Sequence, residues 1–104
     1  MSGLTASTRA MLRDDLERLM TLSRDQIEWA CSDATALAEL IEFGFDEVVE
    51  LRETAELEWC RGDTECAQHL EQEASAWNAT VRLLRTALAE SNRVSNTGRH
   101  RRTA

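Results

Sequence analysis

The sequence predicts an all-α fold, a small antiparallel bundle of about four helices followed by a disordered basic C-terminal tail. Three observations favour helices over strands. Proline, the strongest helix breaker, is absent from the 104 residues, and there are only four glycines. Val and Ile together number six and Tyr is absent, which leaves little material for a sheet. Hydrophobic residues make up 42% and charged residues 30%, which is typical of a globular protein.

The first helix is predicted over residues 5–22. Leu12, Leu16 and Leu19 recur at steps of four and three residues, which places them on one helical face. Met20 widens this face, and most of the charged side chains fall on the opposite side. This pattern is typical of an amphipathic helix that packs on a bundle through one face.

A capping box predicts the start of the second helix near Arg24. Residues 23–26, Ser-Arg-Asp-Gln, match the pattern Ser/Thr-x-x-Glu/Gln, in which the first and fourth side chains each accept a backbone N–H from the other residue. Asp25 suits the positive end of the helix dipole. The apolar stripe that follows, over residues 27–41, is rich in alanine, so a neighbouring helix can approach closely.

Residues 43–46, Phe-Gly-Phe-Asp, interrupt this pattern. Gly44 can adopt the left-handed conformation that ends a helix, and Asp46 can cap the next one. We therefore expect the second helix to end here and a third helix to cover residues 46–61. The alternative is one kinked helix that continues through Gly44, at a local cost of ~1 kcal/mol.

The stretch WCRGDTECAQH, residues 59–69, is predicted to be a turn between helices. Gly62 follows the last periodic residue of helix three, and Asp63 is a good N-cap for a fourth helix over residues 64–90. The Arg-Gly-Asp triplet therefore indicates the end of one helix, a turn and the start of the next. Trp59 and Trp77 fall on the predicted inner faces, and we expect both in the core.

The same stretch allows a metal-binding interpretation, which is the third choice for function. Cys66 and His69 are three residues apart and share a helical face, and Cys60 lies just before the turn. Structural zinc sites usually contain cysteine pairs at closer spacing than these two cysteines have. A Cys–His nucleophile would also need a polar pocket that the pattern does not indicate. We therefore predict no metal, no cofactor and no catalytic residue.

Helix four has the most regular apolar pattern in the chain. Its seam repeats at steps of 4, 4, 3, 4, 3 and 4 residues through Cys66, Leu70, Ala74, Trp77, Val81, Leu84 and Leu88. Its length is ~40 Å, against ~24 Å for helix three, so the end of the seam extends beyond that neighbour. Helix one either covers this end and closes a monomer, or it leaves Val81, Leu84 and Leu88 as the seam of a homodimer.

The chain is predicted to contain one domain. Residues 1–92 form the helical bundle, and residues 93–104 form a flexible Arg-rich tail, because the sequence there is polar and lacks periodicity. No segment has the apolar length of a membrane span, and three cysteines do not describe a disulfide framework. We therefore expect a cytoplasmic protein without a membrane partner.

Charge is distributed unevenly along the chain. Residues 1–24 carry a net charge of +1 and residues 74–104 carry +5, whereas residues 25–73 carry −13. Within this acidic block, carboxylates recur at steps of 3, 4, 4 and 3 residues at Glu39, Glu42, Asp46, Glu50 and Glu53. In a nearly continuous helix they would form one acidic stripe. The simplest interpretation is a solvated outer face, and the functional one is a surface complementary to a basic partner.

We predict a small regulator or inhibitor, of the kind that a phage or mobile element encodes, that docks this acidic face on a basic partner protein. The partner can itself be a nucleic-acid-binding protein, whereas the acidic body would repel nucleic acid. Trp29 does not fall on the apolar stripe of helix two, so it is a candidate interface anchor. The alternative is a structural or adaptor subunit that self-assembles through helix four.

Overall fold

The computed structural model describes the backbone of residues 4–103 and the side chains of residues 4–93. Within these residues the chain forms four α-helices and no strand. The helices are α1 (Ala6–Leu19), α2 (Arg24–Ala30), α3 (Ala34–Arg61) and α4 (Thr64–Thr103). The prediction of an all-α bundle of about four helices is therefore confirmed.

The connection between α1 and α2 forms largely as the sequence indicates. The first helix ends at Leu19, and its C-cap residue Met20 adopts a left-handed conformation with φ 57°. The predicted capping box then starts α2. The Gln26 backbone N–H donates to Ser23 Oγ at 3.2 Å, and the Ser23 backbone N–H donates to Gln26 Oε1 at 2.9 Å. Two orphan donors of the helix start are thereby satisfied.

The second helix ends at Ala30, well before the expected end near Gly44. A short connection follows, and Asp33 caps the next helix. Its Oδ1 accepts the backbone N–H of Ala36 at 2.8 Å. An Asp at this position is a good N-cap, but the apolar pattern continues across it and conceals the break.

The predicted break at Gly44 is wrong, and the alternative of one continuous helix is what the structure shows. The third helix, α3, runs from Ala34 to Arg61 without interruption. Gly44 is buried, and a Cβ atom added to it would lie 2.7 Å from Cγ2 of Val81. The glycine therefore serves close packing between α3 and α4, because any side chain at this position would force Val81 or its helix to shift.

The Arg-Gly-Asp turn is confirmed. Gly62 has φ 85°, and its N–H donates to the carbonyl of Trp59 at 3.1 Å. The N–H of Asp63 donates to the carbonyl of Glu58 at 3.0 Å, which completes a Schellman motif. Oδ1 of Asp63 then accepts the N–H of Cys66 at 3.1 Å and caps α4. The α3–α4 pair is therefore a tight antiparallel hairpin.

The first two helices cover only one end of this hairpin. The first helix packs on α4 and α2 packs on α3, while α3 and α4 make the most extensive contact in the molecule. We call the covered end the base, and it comprises residues 4–44 and 77–93. Residues 45–76, around the turn, are the tip. All members of the main hydrophobic core lie in the base, namely Leu4, Leu12, Leu16, Leu22, Ile27, Ala30, Cys31, Leu37, Leu40, Leu84 and Ala87.

The end of the helix-four seam belongs to this core. Val81 and Leu84 are 2% and 0% exposed, and Leu88 is half-buried against the same cluster. Val81 lies against Gly44 of α3, and Leu88 lines a groove together with Ile41 of the same helix, so the seam faces mainly α3 and is not an exposed strip. Self-association through the seam stays a prediction.

The backbone of α4 is helical through Thr103, whereas the sequence predicts its end near residue 90. Side chains from residue 94 onward lie outside the described part of the chain. The predicted flexible tail, residues 93–104, falls almost entirely there, so its flexibility stays a prediction.

Candidate protein-binding surface

The continuity of α3 places five carboxylates in one row. We call Glu39, Glu42, Asp46, Glu50 and Glu53 the acidic row, and every member is exposed. The buried positions of the same helix lie on its other side, against α4 and α2, and comprise Ala36, Leu37, Leu40, Gly44, Val48 and Ala55. Residues three and four apart are neighbours on a helix surface, so the row is one continuous strip of negative charge.

No cation of the described residues neutralises the acidic row. The ion pairs found in this part of the chain lie elsewhere, and they join Asp14 to Arg18, Glu58 to Arg61 and Glu90 to Arg93. Like charges at this spacing destabilise a helix by a few tenths of a kcal/mol per pair. The row therefore costs a little stability in the free protein.

An exposed apolar strip, formed by Phe45 and Val49, lies beside the row. Among the described residues, five of the eight exposed large hydrophobic side chains are on α3, and they are Phe43, Phe45, Val49, Leu57 and Trp59. Phe45 is three residues after Glu42, and Val49 is three residues after Asp46. The sequence did not predict the exposure of these two residues, since Phe45 falls in the interruption expected at residues 43–46 and Val49 in the third helix expected to follow it. Their exposures are 43% and 53%.

Phe45 also forms one wall of a groove between α3 and α4. The groove has a volume of about 420 Å³, and its lining comprises Ile41, Phe45, Arg85, Leu88, Ala89 and Asn92. The guanidinium carbon of Arg85 lies 5.9 Å from the centroid of the Phe45 ring, within the range of a cation–π contact. The surface therefore changes from acidic to apolar to basic across the width of the hairpin.

One of the three tryptophans, Trp59, is placed differently from the expectation. Trp59 is 41% exposed, so its assignment to the core is wrong. Trp77 is half-buried, and its ring meets that of Phe43 edge-on at a centroid distance of 5.5 Å. Trp29 is 44% exposed on α2, apart from the acidic row in sequence and on a different helix. Its exposure is compatible with the predicted anchor role, which stays a prediction.

The turn brings together a different set of potential metal ligands from the one considered in the sequence. Cys66, Glu58 and Asp63 have ligand atoms within 4.8 Å of one another, whereas Cys60 and His69 do not belong to this group. Asp63 already caps α4, and Glu58 pairs with Arg61 at 3.4 Å. Partial burial, and then the carboxylates of Glu58 and Asp63, raise the pKa of the Cys66 thiol. Two of the three groups are already engaged in the cap and the ion pair, so we assign no metal here.

Comparison with protein families gives one match, and it covers most of the chain. Residues 2–90 match the family model of Chap-C, described as the TY-Chap C-terminal domain. This description suggests a chaperone-like role in binding other proteins. No curated protein and no solved structure matches the chain. No helix among the described residues is long and apolar enough to cross a membrane.

Proposed function

We propose, since the chain belongs to the Chap-C family of TY-Chap C-terminal domains, that it is a chaperone-like domain whose acidic row binds a basic surface of a partner protein. The observation that carries this proposal is the exposed row of five carboxylates on one uninterrupted helix, none of which pairs with a cation among residues 4–93. The family match supports a protein partner in general. The row supports a basic one in particular, because complementary charge steers and orients association.

Binding at the row would regulate the partner by covering its basic surface. A strip of carboxylates competes with phosphates for Arg and Lys side chains, so a nucleic-acid-binding partner would be inhibited while it is bound. The net charge of −13 over residues 25–73 adds long-range attraction for such a surface. We therefore interpret the domain as a small acidic regulator or inhibitor of a basic protein.

Charge reversal of the row tests this function. A variant with Glu39, Glu42, Glu50 and Glu53 changed to Arg keeps the buried face of α3 intact, because all four side chains are exposed. We expect it to lose the basic proteins that the natural chain captures from a native lysate, while its helical circular dichroism spectrum is retained. Mass spectrometry of the captured proteins identifies them and shows whether they are basic.

A matched control separates the row from net charge. Changing Glu17, Glu28, Glu56 and Glu71 to Arg alters the net charge by the same amount at four exposed positions outside the row. This control should retain more of the capture than the row variant. Capture by the natural chain should weaken as salt shortens the screening length from about 10 Å at 0.1 M to about 3 Å at 1 M. Equal loss in both variants would show that the row has no special role.

A further inference from the structure

The apolar strip beside the acidic row restricts the kind of segment that can occupy this face. Phe45 and Val49 are four residues apart, so they lie one helical turn from each other on the same side of α3. Both flank the row and both are exposed, and Phe45 opens into the groove lined by Ile41 and Leu88. A partner that used charge alone would leave these apolar groups in contact with water.

From these positions we propose that the occupant is an amphipathic helix of the partner protein, with Arg or Lys side chains on one side and apolar side chains on the adjacent side. The inference rests on the proposed function, because it assigns a shape and a second chemical face to the basic partner. The cations of this helix would face the acidic row. Its apolar side chains would cover Phe45 and Val49 and enter the groove, a common mode of helix recognition.

The spacing of the row favours a helical occupant over an extended one. From Glu39 to Glu53 the row spans about 21 Å, with steps of about 4.5–6 Å between successive carboxylates. Cations at positions i, i+3 and i+4 of a partner helix repeat at the same distances. Side chains on one face of an extended strand repeat at about 6.6–6.8 Å, so they would lose register along the row.

Arg85 sets the orientation of the occupant. Its guanidinium lies over the Phe45 ring and on the groove wall, on the far side of the apolar strip from the row. Basic side chains of a partner are attracted toward the row and repelled from Arg85. An amphipathic helix therefore lies with its cations over the row and its apolar face over the groove, and the reverse placement is disfavoured by like charge.

Two labelled peptides of about sixteen residues, the length of the row, test the inference. Both have the same content of Arg, Leu and Ala. One places Arg and Leu on adjacent faces at helical spacing, and the other places the same residues in strict alternation. Fluorescence anisotropy measures the Kd of each with the full chain. We expect the helical isomer to bind at least about tenfold more tightly, since only it can bury its apolar face beside the row.

Variants locate the contact. Phe45→Ser and Val49→Ser should each weaken binding of the helical isomer about three- to tenfold and leave the alternating isomer unchanged. Met11→Ser, which removes an exposed hydrophobic side chain of α1, is the matched control and should have no effect. Circular dichroism and the thermal midpoint establish that each variant is folded, because a loss of fold would weaken both peptides alike.

The outcomes distinguish this inference from the proposed function. Equal binding of both peptides that is lost on charge reversal of the row would overturn the amphipathic helix and keep the basic partner. Tighter binding of the alternating isomer would do the same and indicate an extended segment. Absence of binding, or a Kd that does not change when the charge of the acidic row is reversed, would overturn both proposals. A dimer in analytical ultracentrifugation that Val49→Ser converts to a monomer would assign the face to a second copy of the chain and overturn the inference.

Discussion

The base and the tip of the hairpin are stabilised by different kinds of side chain. The base buries leucines from three helices, including Leu16, Leu37 and Leu84, each with no exposed surface. The tip buries small residues, and Ala55, Ala67 and Ala74 are its most buried positions together with Val48. Burying a leucine contributes roughly 1.5–3 kcal/mol, and an alanine contributes less because it has fewer carbons. The base therefore supplies most of the stability, and the tip relies on close approach of two helices.

The acidic row crosses the boundary between these regions. Glu39 and Glu42 lie in the base, whereas Asp46, Glu50 and Glu53 lie in the tip. The row is uninterrupted because α3 passes through Gly44 without a break. The molecule therefore combines a stable base with a helix whose exposed carboxylates repel one another. The base includes the first part of α3, and the rest of the helix, in the tip, contains Asp46, Glu50 and Glu53.

The largest expected effect tests the unequal contribution of the two regions. Leu84→Ala removes a fully buried side chain from the base core and should destabilise the protein by about 3 kcal/mol. Leu70→Ala removes a half-buried side chain from the tip and should cost about 1 kcal/mol. Urea unfolding followed by circular dichroism gives both values. Equal losses would show that the tip contributes as much as the base.

The second prediction concerns the boundary itself. In the natural chain, Gly44→Ala should destabilise by about 1 kcal/mol, because overlap with Val81 outweighs the gain in helix propensity. In a Val81→Ala background the overlap is removed, and the same change should stabilise by up to about 1 kcal/mol. The difference is a coupling of about 2 kcal/mol in a double-mutant cycle. Additive effects would show that Gly44 is not there for close packing.

Gly44 also shows why part of the fold could not be predicted from the sequence. A glycine between two phenylalanines has the local pattern of a helix end. A glycine is needed at this position because Val81 of another helix approaches it closely. Local features were predicted correctly, because capping at Ser23 and the turn at Gly62 depend on residues within a few positions of each other. The break before Asp33 was missed because the apolar period continues across it.

The candidate site also has features that the sequence predicted and features that it did not. The spacing of the acidic row was visible in the sequence, because it depends only on helical geometry. The exposure of Phe45, Val49 and Trp59 was not, since it depends on how α3 is rotated against α4 and on which part of the hairpin α1 and α2 cover. Helical periodicity predicts one apolar face, and α3 carries an apolar strip outside that face.

The third prediction concerns the turn at the end of the tip. Gly62→Ala should destabilise by about 1 kcal/mol, because alanine resists the left-handed conformation at φ 85°. The added methyl group would meet no atom within 4 Å, so the cost is conformational rather than steric. Gly62→Asn is the matched control and should cost less, since asparagine tolerates this conformation better. Equal losses for the two variants in urea unfolding would contradict the conformational explanation.

The smallest expected effect uses the cysteines as reporters of base and tip. Cys31 is buried in the base, Cys60 is exposed in the tip and Cys66 is half-buried beside it. Since the thiolate is the reactive form, the raised pKa of Cys66 should make it react more slowly with iodoacetamide near pH 8 than Cys60 does. Its rate should keep rising with pH above the ordinary thiol range of about 8.5. Cys31 should react only when the base opens, so its rate should increase in Leu84→Ala.

Glu58→Gln tests whether the Glu58 carboxylate contributes to the slow alkylation of Cys66. Removing that negative charge lowers the pKa of Cys66, because the Glu58 carboxylate is one of the groups that raise it. The fraction of thiolate near pH 8 therefore increases, and alkylation of Cys66 should become a few-fold faster while the rate at Cys31 is unchanged. Mass spectrometry of the peptides resolves the three sites. If Cys66 reacts as fast as Cys60, and if its rate does not change in Glu58→Gln, the turn carboxylates do not raise the pKa of the Cys66 thiol. A faster Cys31 in Glu58→Gln would instead mean that a change in the tip loosens the base, and the two regions would then be one cooperative unit.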